Sequence, residues 1–131
     1  MITTKLPIID KSIDEKNDKV LTSERDIDVT IDTSLFAEER WEANFPLNAQ
    51  KETLFAYIER VKNAGLIESK AHILSNLKAV YCFMEGKDIA DFKSFCQLFD
   101  LADEKYISKL IDKIKYVFDI VLKSSAANPK N

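Results

Sequence analysis

Residues Asp103 to Lys123, DEKYISKLIDKIKYVFDIVLK, carry the longest uninterrupted helical pattern in the chain. Ile107, Ile114 and Val121 recur at heptad spacing, Leu110 and Val117 fall between them, and Ile111 and Phe118 lie beside them. That spacing draws one apolar stripe along a single helix. At the usual rise per residue the helix is about 30 Å long, enough to span a small domain, so everything upstream has to supply its packing surface. Asp103 is placed to cap its start, with Glu104 at the positive end of the helix dipole and Lys123 at the negative end.

One hydrophobic core is all that 131 residues can close, so a single domain is expected. No apolar run has the length of a membrane span. The opening MITTKLPIIDKSIDEKND lacks the basic-then-apolar order of a secretory signal, which predicts a cytosolic protein. Cys82 and Cys96 then read as reduced, buried thiols, and their spacing fits no zinc pattern. Only Gly65 and Gly86 are present, too few for a Walker loop or a dinucleotide-binding turn. The net charge of −3 comes from an acidic excess in the first 34 residues, and the remainder is balanced. Without a basic stripe, neither nucleic acid nor membrane is an expected partner.

The chain divides into an extended arm over residues 1–25, a helical domain over 26–123 and a polar tail over 124–131. Within the domain, Ile27, Val29 and Ile31 alternate with polar residues over 26–32, the period of a half-buried strand. A lone strand needs a partner: Leu6 to Ile9, Val20-Leu21, or a second copy of the chain. Alternation puts Asp26, Asp28 and Asp32 on the solvent face rather than around a metal. Helices are predicted over about 35–44, 49–64, 67–85, 89–101 and 104–123, with caps at Asp32-Thr33-Ser34, Asn48 and Asp88 and stops at Pro46, Gly65 and Gly86. Leu54, Tyr57, Ile58 and Val61 share one face of the second. Ile67, Leu74, Leu77, Tyr81 and Met84 form the stripe of the third, and Ile89, Phe92, Phe95, Cys96 and Phe99 an aromatic face on the fourth. The expected fold is mainly α, a compact bundle of about five helices with a short β-strand or hairpin and an extended arm at the N-terminus.

Phe83, Leu98, Tyr116 and Ile120 fall off these stripes. They are either core residues of helices buried on two sides, ordinary exposed residues, or a surface for self-association or an apolar partner. Catalysis finds no support. His72 is the only histidine, Ser69 and Ser75 near it lack the glycines of a nucleophile elbow, and Glu38/Glu42 and Asp88/Asp91 have the spacing of caps and solvated helix faces. A helix-turn-helix around Gly86 is short of cations, with Lys87 and Lys93 set against Asp88, Asp91 and Asp100. No catalytic residue, metal or cofactor is expected.

The succession IDTSLFAEERWEANFP, KETLFAYIERV, LKAVYCFMEG, FKSFCQLFD and SSAANPKN resembles the small helical tail assembly chaperones of long-tailed bacteriophages of Gram-positive bacteria, over about residues 26 to 131. The resemblance implies a non-catalytic protein that binds the tape measure protein, a long apolar helical polypeptide, and keeps it soluble while the tail tube forms. It implies the tail tube protein as a second partner, self-association into a homo-oligomer, and a place in the host cytoplasm rather than the mature virion. A client of apolar helices needs an apolar, aromatic-rich groove. The candidates for it are Phe83, Leu98, Tyr116 and Ile120, with Phe36, Trp41 and Phe45 as a second set, and Ile27, Val29 and Ile31 are the candidates for linking protomers. The alternative is a monomeric helical inhibitor or immunity-type protein directed at one specific protein partner.

Overall fold

The computed structural model describes residues 2–85 and 91–126. Its order is β1 (Ile2–Asp14), β2 (Lys19–Ile31), α1 (Phe36–Asn44), α2 (Pro46–Lys51), α3 (Leu54–Asn63), a 3-10 turn (Lys70–His72), α4 (Ile73–Phe83), α5 (Phe92–Cys96) and α6 (Glu104–Ala126).

The N-terminal third corrects the expected fold class. There is no extended arm in front of a mainly α bundle: residues 2–14 and 19–31 pair as one antiparallel hairpin, and the domain is mixed α/β. Strand 26–32 does pair with the Leu6–Ile9 segment, since Leu6 lies opposite Ile27, whereas Val20-Leu21 belongs to the same strand as Ile27. Asp14 starts the turn by accepting from Asn17 N at 3.3 Å, and Asp18 closes it at φ 52°, a region that aspartate tolerates better than most residues.

The inner half of the hairpin belongs to the core, and its edges are closed there. Leu6, Ile8, Val29 and Ile31 are buried. On the β1 edge, Pro7 has no N–H to leave unpaired, its carbonyl accepts from Tyr106 Oη at 2.7 Å, and Ile9 N donates to the Leu98 carbonyl at 3.3 Å. On the β2 edge, Asp32 N donates to the Phe83 carbonyl at 2.6 Å and Glu85 N to the Thr30 carbonyl at 2.9 Å, which continues the sheet for one bridge beyond α4.

The long C-terminal helix forms as its stripe requires. Asp103 Oδ1 accepts from Tyr106 N at 3.0 Å, and Ile107, Leu110, Ile111, Ile114, Val117, Phe118 and Val121 are all buried. They pack on β1, α4 and α3. Burial of this kind stabilises by about 2 kcal/mol per side chain. Helix α4 is the central element, in contact with α1, α3, α5 and α6. It is buried nearly all round: Ile73, Asn76, Leu77, Ala79, Val80, Cys82 and Phe83 are inside. Asn76 is accommodated there because its Oδ1 accepts from Tyr57 Oη at 2.7 Å.

Several element boundaries differ from expectation, each for a local reason. The helix expected over 49–64 is two helices, because Thr53 caps a new one by accepting from Ala56 N, while Glu38 on α1 accepts from Leu54 N and Phe55 N at 2.8 and 3.1 Å. Those are the orphan donors of a helix start. Pro46 is the first residue of α2 as well as the end of α1, a position where its fixed φ suits a helix. The helix expected over 67–85 begins at Ile73 after the 3-10 turn. Within 89–101 the described helix covers Phe92–Cys96, capped by Asp91 accepting from Ser94 N at 2.7 Å. The proposed cap at Asp88, the stop at Gly86 and the apolar Ile89 lie outside the described residues, as do residues 127–131 of the tail. Residues 124–126 are the last turn of α6 rather than tail.

Candidate interaction surface

The two sets of residues expected to bind an apolar client are divided between core and surface. Trp41 and Phe45 are core: Trp41 is 1% exposed, its Nε1 donates to the Glu52 carbonyl at 3.0 Å, and its ring meets Phe45 and Tyr57 at 5.8 and 5.6 Å. Phe83 is also buried, because α4 is central. Leu98 and Ile120 are half-buried, and Leu98 packs against the core beside β1. Tyr116 and Phe36 are exposed, by 51% and 64%. Tyr116 stands under the Lys113 ammonium, 5.5 Å from the ring centroid.

The residues expected to link protomers, Ile27, Val29 and Ile31, lie in this chain's own hairpin. Val29 and Ile31 are buried and Ile27 is half-buried against the same core, so the strand they form is paired and covered within one copy.

Two apolar depressions are open among the described residues. The first, a cleft of about 230 Å³, lies where α1 begins beside α3 and the end of α6, lined by Leu35, Ala37, Phe55, Phe83 and Val121 with Thr33, Ser34, Glu38 and Ser124. It brings Phe83 to one wall and places Phe36 next to the lip. Leu35 already has helical φ −58° and ψ −20° and is 87% exposed. The expected caps act just before it: Asp32 Oδ1 accepts from Ser34 N at 2.9 Å and Ser34 Oγ from Phe36 N at 3.3 Å.

The second depression, a groove of about 350 Å³, runs between α4 and the segment after α5, lined by Ile73, Leu74, Leu77, Cys96, Phe99 and Leu101 with Lys70 and Ala71. Leu74, expected on the inward stripe of α4, is 56% exposed at its rim; the inward face is carried by Ile73, Leu77 and Val80 instead. Leu101 is 74% exposed on the other rim. A run of ring contacts, Phe45–Phe92, Phe92–Phe95 and Phe95–Phe99 at 5.0, 6.3 and 5.0 Å, stiffens the wall behind it.

The polar chemistry around these surfaces is structural. Both oxygens of Glu38, at the cleft, are engaged with the start of α3. Cys82 is buried and its thiol is pushed up to about 12 by desolvation, and burial raises the Cys96 thiol too, so neither is an activated nucleophile. His72 Nδ1 lies 3.1 Å from Ser69 Oγ, a contact within the 3-10 turn. Among the described residues no group of three or more His, Cys, Asp or Glu side chains is placed to hold a metal ion, and no helix is long and apolar enough to cross a membrane. The helix after Gly86 spans five residues, with Phe95 turned into the core.

Asp32 departs from its expected place on the solvent face. It is 9% exposed, accepts from Ser34, and pairs with Arg40 Nη2 at 3.2 Å while Arg40 Nε donates to the Cys82 carbonyl at 2.6 Å. The Ser34 hydrogen bonds first, and Arg40 second, hold its carboxyl below the ordinary aspartate value of 3.8. A lowered folded-state value means that this contribution to stability is complete above pH 3.8 and is lost as the pH falls through the folded value. Asp32→Asn is therefore expected to lower the melting temperature at pH 7 and to leave a shallower loss of stability below pH 4, as thermal denaturation across pH 2–7 will show.

Comparison of the chain with known protein families, with curated proteins and with solved structures finds no match.

Proposed function

We propose that this chain is a non-catalytic tail assembly chaperone of a long-tailed bacteriophage. It works in the host cytoplasm and shields apolar helical segments of the tape measure protein. The observation that carries the reading is the cleft at the start of α1. There Leu35, 87% exposed at the start of α1, stands beside exposed Phe36 and above Phe55, Phe83 and Val121. Large apolar side chains exposed side by side at the mouth of an apolar cleft mark a surface for a partner. The floor of the cleft is built from α3, α4 and α6, rigid elements suited to receive the apolar face of a client helix. The resemblance of the helical segments to tail assembly chaperones supplies the identity of the client.

The test is co-expression with the tape measure protein of the same phage genome. The expected result is that the client moves into the soluble fraction and co-purifies with this chain. Leu35→Asp with Phe36→Asp is expected to abolish that rescue at least tenfold while leaving the melting temperature within a few degrees of the parent, because both side chains are exposed. A client that stays insoluble beside the parent chain would overturn the reading, and a monomeric inhibitor of some other protein would take its place.

A further inference from the structure

The cleft at the start of α1 is too small for a helix and large enough for one side chain. Its volume is about 230 Å³. An apolar cavity of about 150 Å³ already holds a benzene molecule, whereas a helix with its side chains is about 10 Å across. A helix laid over the cleft therefore sends in a single residue, and the space beyond one six-membered ring admits a second ring fused to it.

The lining favours an aromatic residue. Among the described residues, Phe45, Phe92, Phe95 and Phe99 each meet another ring at 5.0 to 6.3 Å, whereas Phe55 and Phe83 in the cleft and Phe36 beside it meet none. Rings prefer edge-to-face or offset neighbours at such distances, so two phenylalanines in the lining suit a ring better than an aliphatic side chain. The mouth is polar. Thr33 and Ser124 are exposed there, and neither hydroxyl has a hydrogen-bond partner among the described residues. Ser34 Oγ already accepts from Phe36 N, and both oxygens of Glu38 accept from the start of α3. The Thr33 and Ser124 hydroxyls are therefore the acceptors left for an N–H at the edge of an incoming ring.

We propose that the cleft takes one tryptophan side chain from an apolar helix of the partner, its indole against Phe55, Phe83 and Val121 and its N–H on Thr33 or Ser124, an assignment that rests on the chaperone reading for whose helix it is. Tryptophan joins a large apolar ring system to a single N–H that only donates. Leucine and phenylalanine bring no donor, and tyrosine carries its hydroxyl at the end of the ring that enters first. Leu35 and Phe36 at the lip, 87% and 64% exposed, then cover apolar residues three or four positions along the same helix.

The ring site is tested on the full chain without any client. Indole is expected to bind at about millimolar concentration, as suits a fragment of its size, and to shift the methyl resonances of Val121 and Leu35 but not those of Leu74 and Leu101. Indene, which has the same shape without the N–H, is expected to bind about threefold to tenfold more weakly, the effect of one hydrogen bond. Thr33→Val with Ser124→Ala should bring the two ligands to equal affinity, and Ser124→Trp, whose ring covers the mouth, should weaken both by about tenfold. Both positions are exposed, so the variants retain the fold, which circular dichroism checks. No shift at Val121, or indene bound as tightly as indole by the parent, overturns the proposal. Where the parent keeps the tape measure protein soluble, Ser124→Trp should lose that rescue, and a rescue that it retains overturns the anchor. Indole binding beside a client that stays insoluble overturns the chaperone reading instead and leaves the ring site standing.

Discussion

Trp41→Ala is expected to lower stability by about 4 kcal/mol, a large part of what a domain of this size possesses. The side chain is fully buried, it holds Phe45 and Tyr57 in edge and tilted contacts, and its indole N–H satisfies the Glu52 carbonyl at the break between α2 and α3. Truncation leaves a cavity and an unpaired carbonyl together. Urea denaturation should show the midpoint falling by about half, with the slope unchanged. A loss below about 1 kcal/mol would return Trp41 to the surface role that its sequence context suggests. Trp41 is therefore unsuitable as a probe of partner binding, because a variant that fails to bind would have failed to fold first.

Removal of residues 1–32 is expected to abolish cooperative unfolding altogether. The deletion takes Leu6, Ile8, Ile9, Val29 and Ile31 from the core and leaves Tyr106 without the Pro7 carbonyl. At about 2 kcal/mol for each buried side chain the loss is about 10 kcal/mol, equal to the whole stability of a typical domain. The remaining helices should keep far-ultraviolet circular dichroism and lose the dispersion of their methyl resonances. A truncated chain that melts cooperatively within ten degrees of the parent would show that the hairpin is an accessory.

The helices were legible where one stripe faces one core. The heptad of α6 is read directly from Ile107 to Val121, and Leu54, Tyr57, Ile58 and Val61 mark the inward face of α3, because each helix has a single buried side. Helix α4 defeated the wheel. Buried on nearly every side, it places Phe83 and Leu77 both inside and turns Leu74 out, so the odd residue of the stripe pattern was a core residue. The length of the hairpin was hidden for a different reason. Leu6, Pro7, Ile8 and Ile9 are buried in succession, which erases the period of two by which a half-buried strand is known, and the outer half is polar on both faces apart from its tip. The signal that could have found it was the Asp14-Asn17-Asp18 turn midway between two β-branched stretches. Of the surface residues, Tyr116 was visible as an apolar side chain off the stripe, and Phe36 was named only as an aromatic side chain for an apolar groove. Leu35, Leu74 and Leu101 were not visible as surface residues, since exposure at a helix end or a groove rim depends on the neighbouring elements.

The Tyr106 hydroxyl donates to the Pro7 carbonyl across a separation of 99 residues, and through it α6 lies against the first strand. On the ribosome, that contact cannot form until Tyr106 has left the exit tunnel. The hairpin, although complete by residue 31, meets the end of α4 only after residue 83 has been made, and β1 lacks the helix packed on it until α6 follows. Leu6 and Ile8 therefore stay incompletely covered for most of synthesis, and the domain closes late rather than from its first element onward.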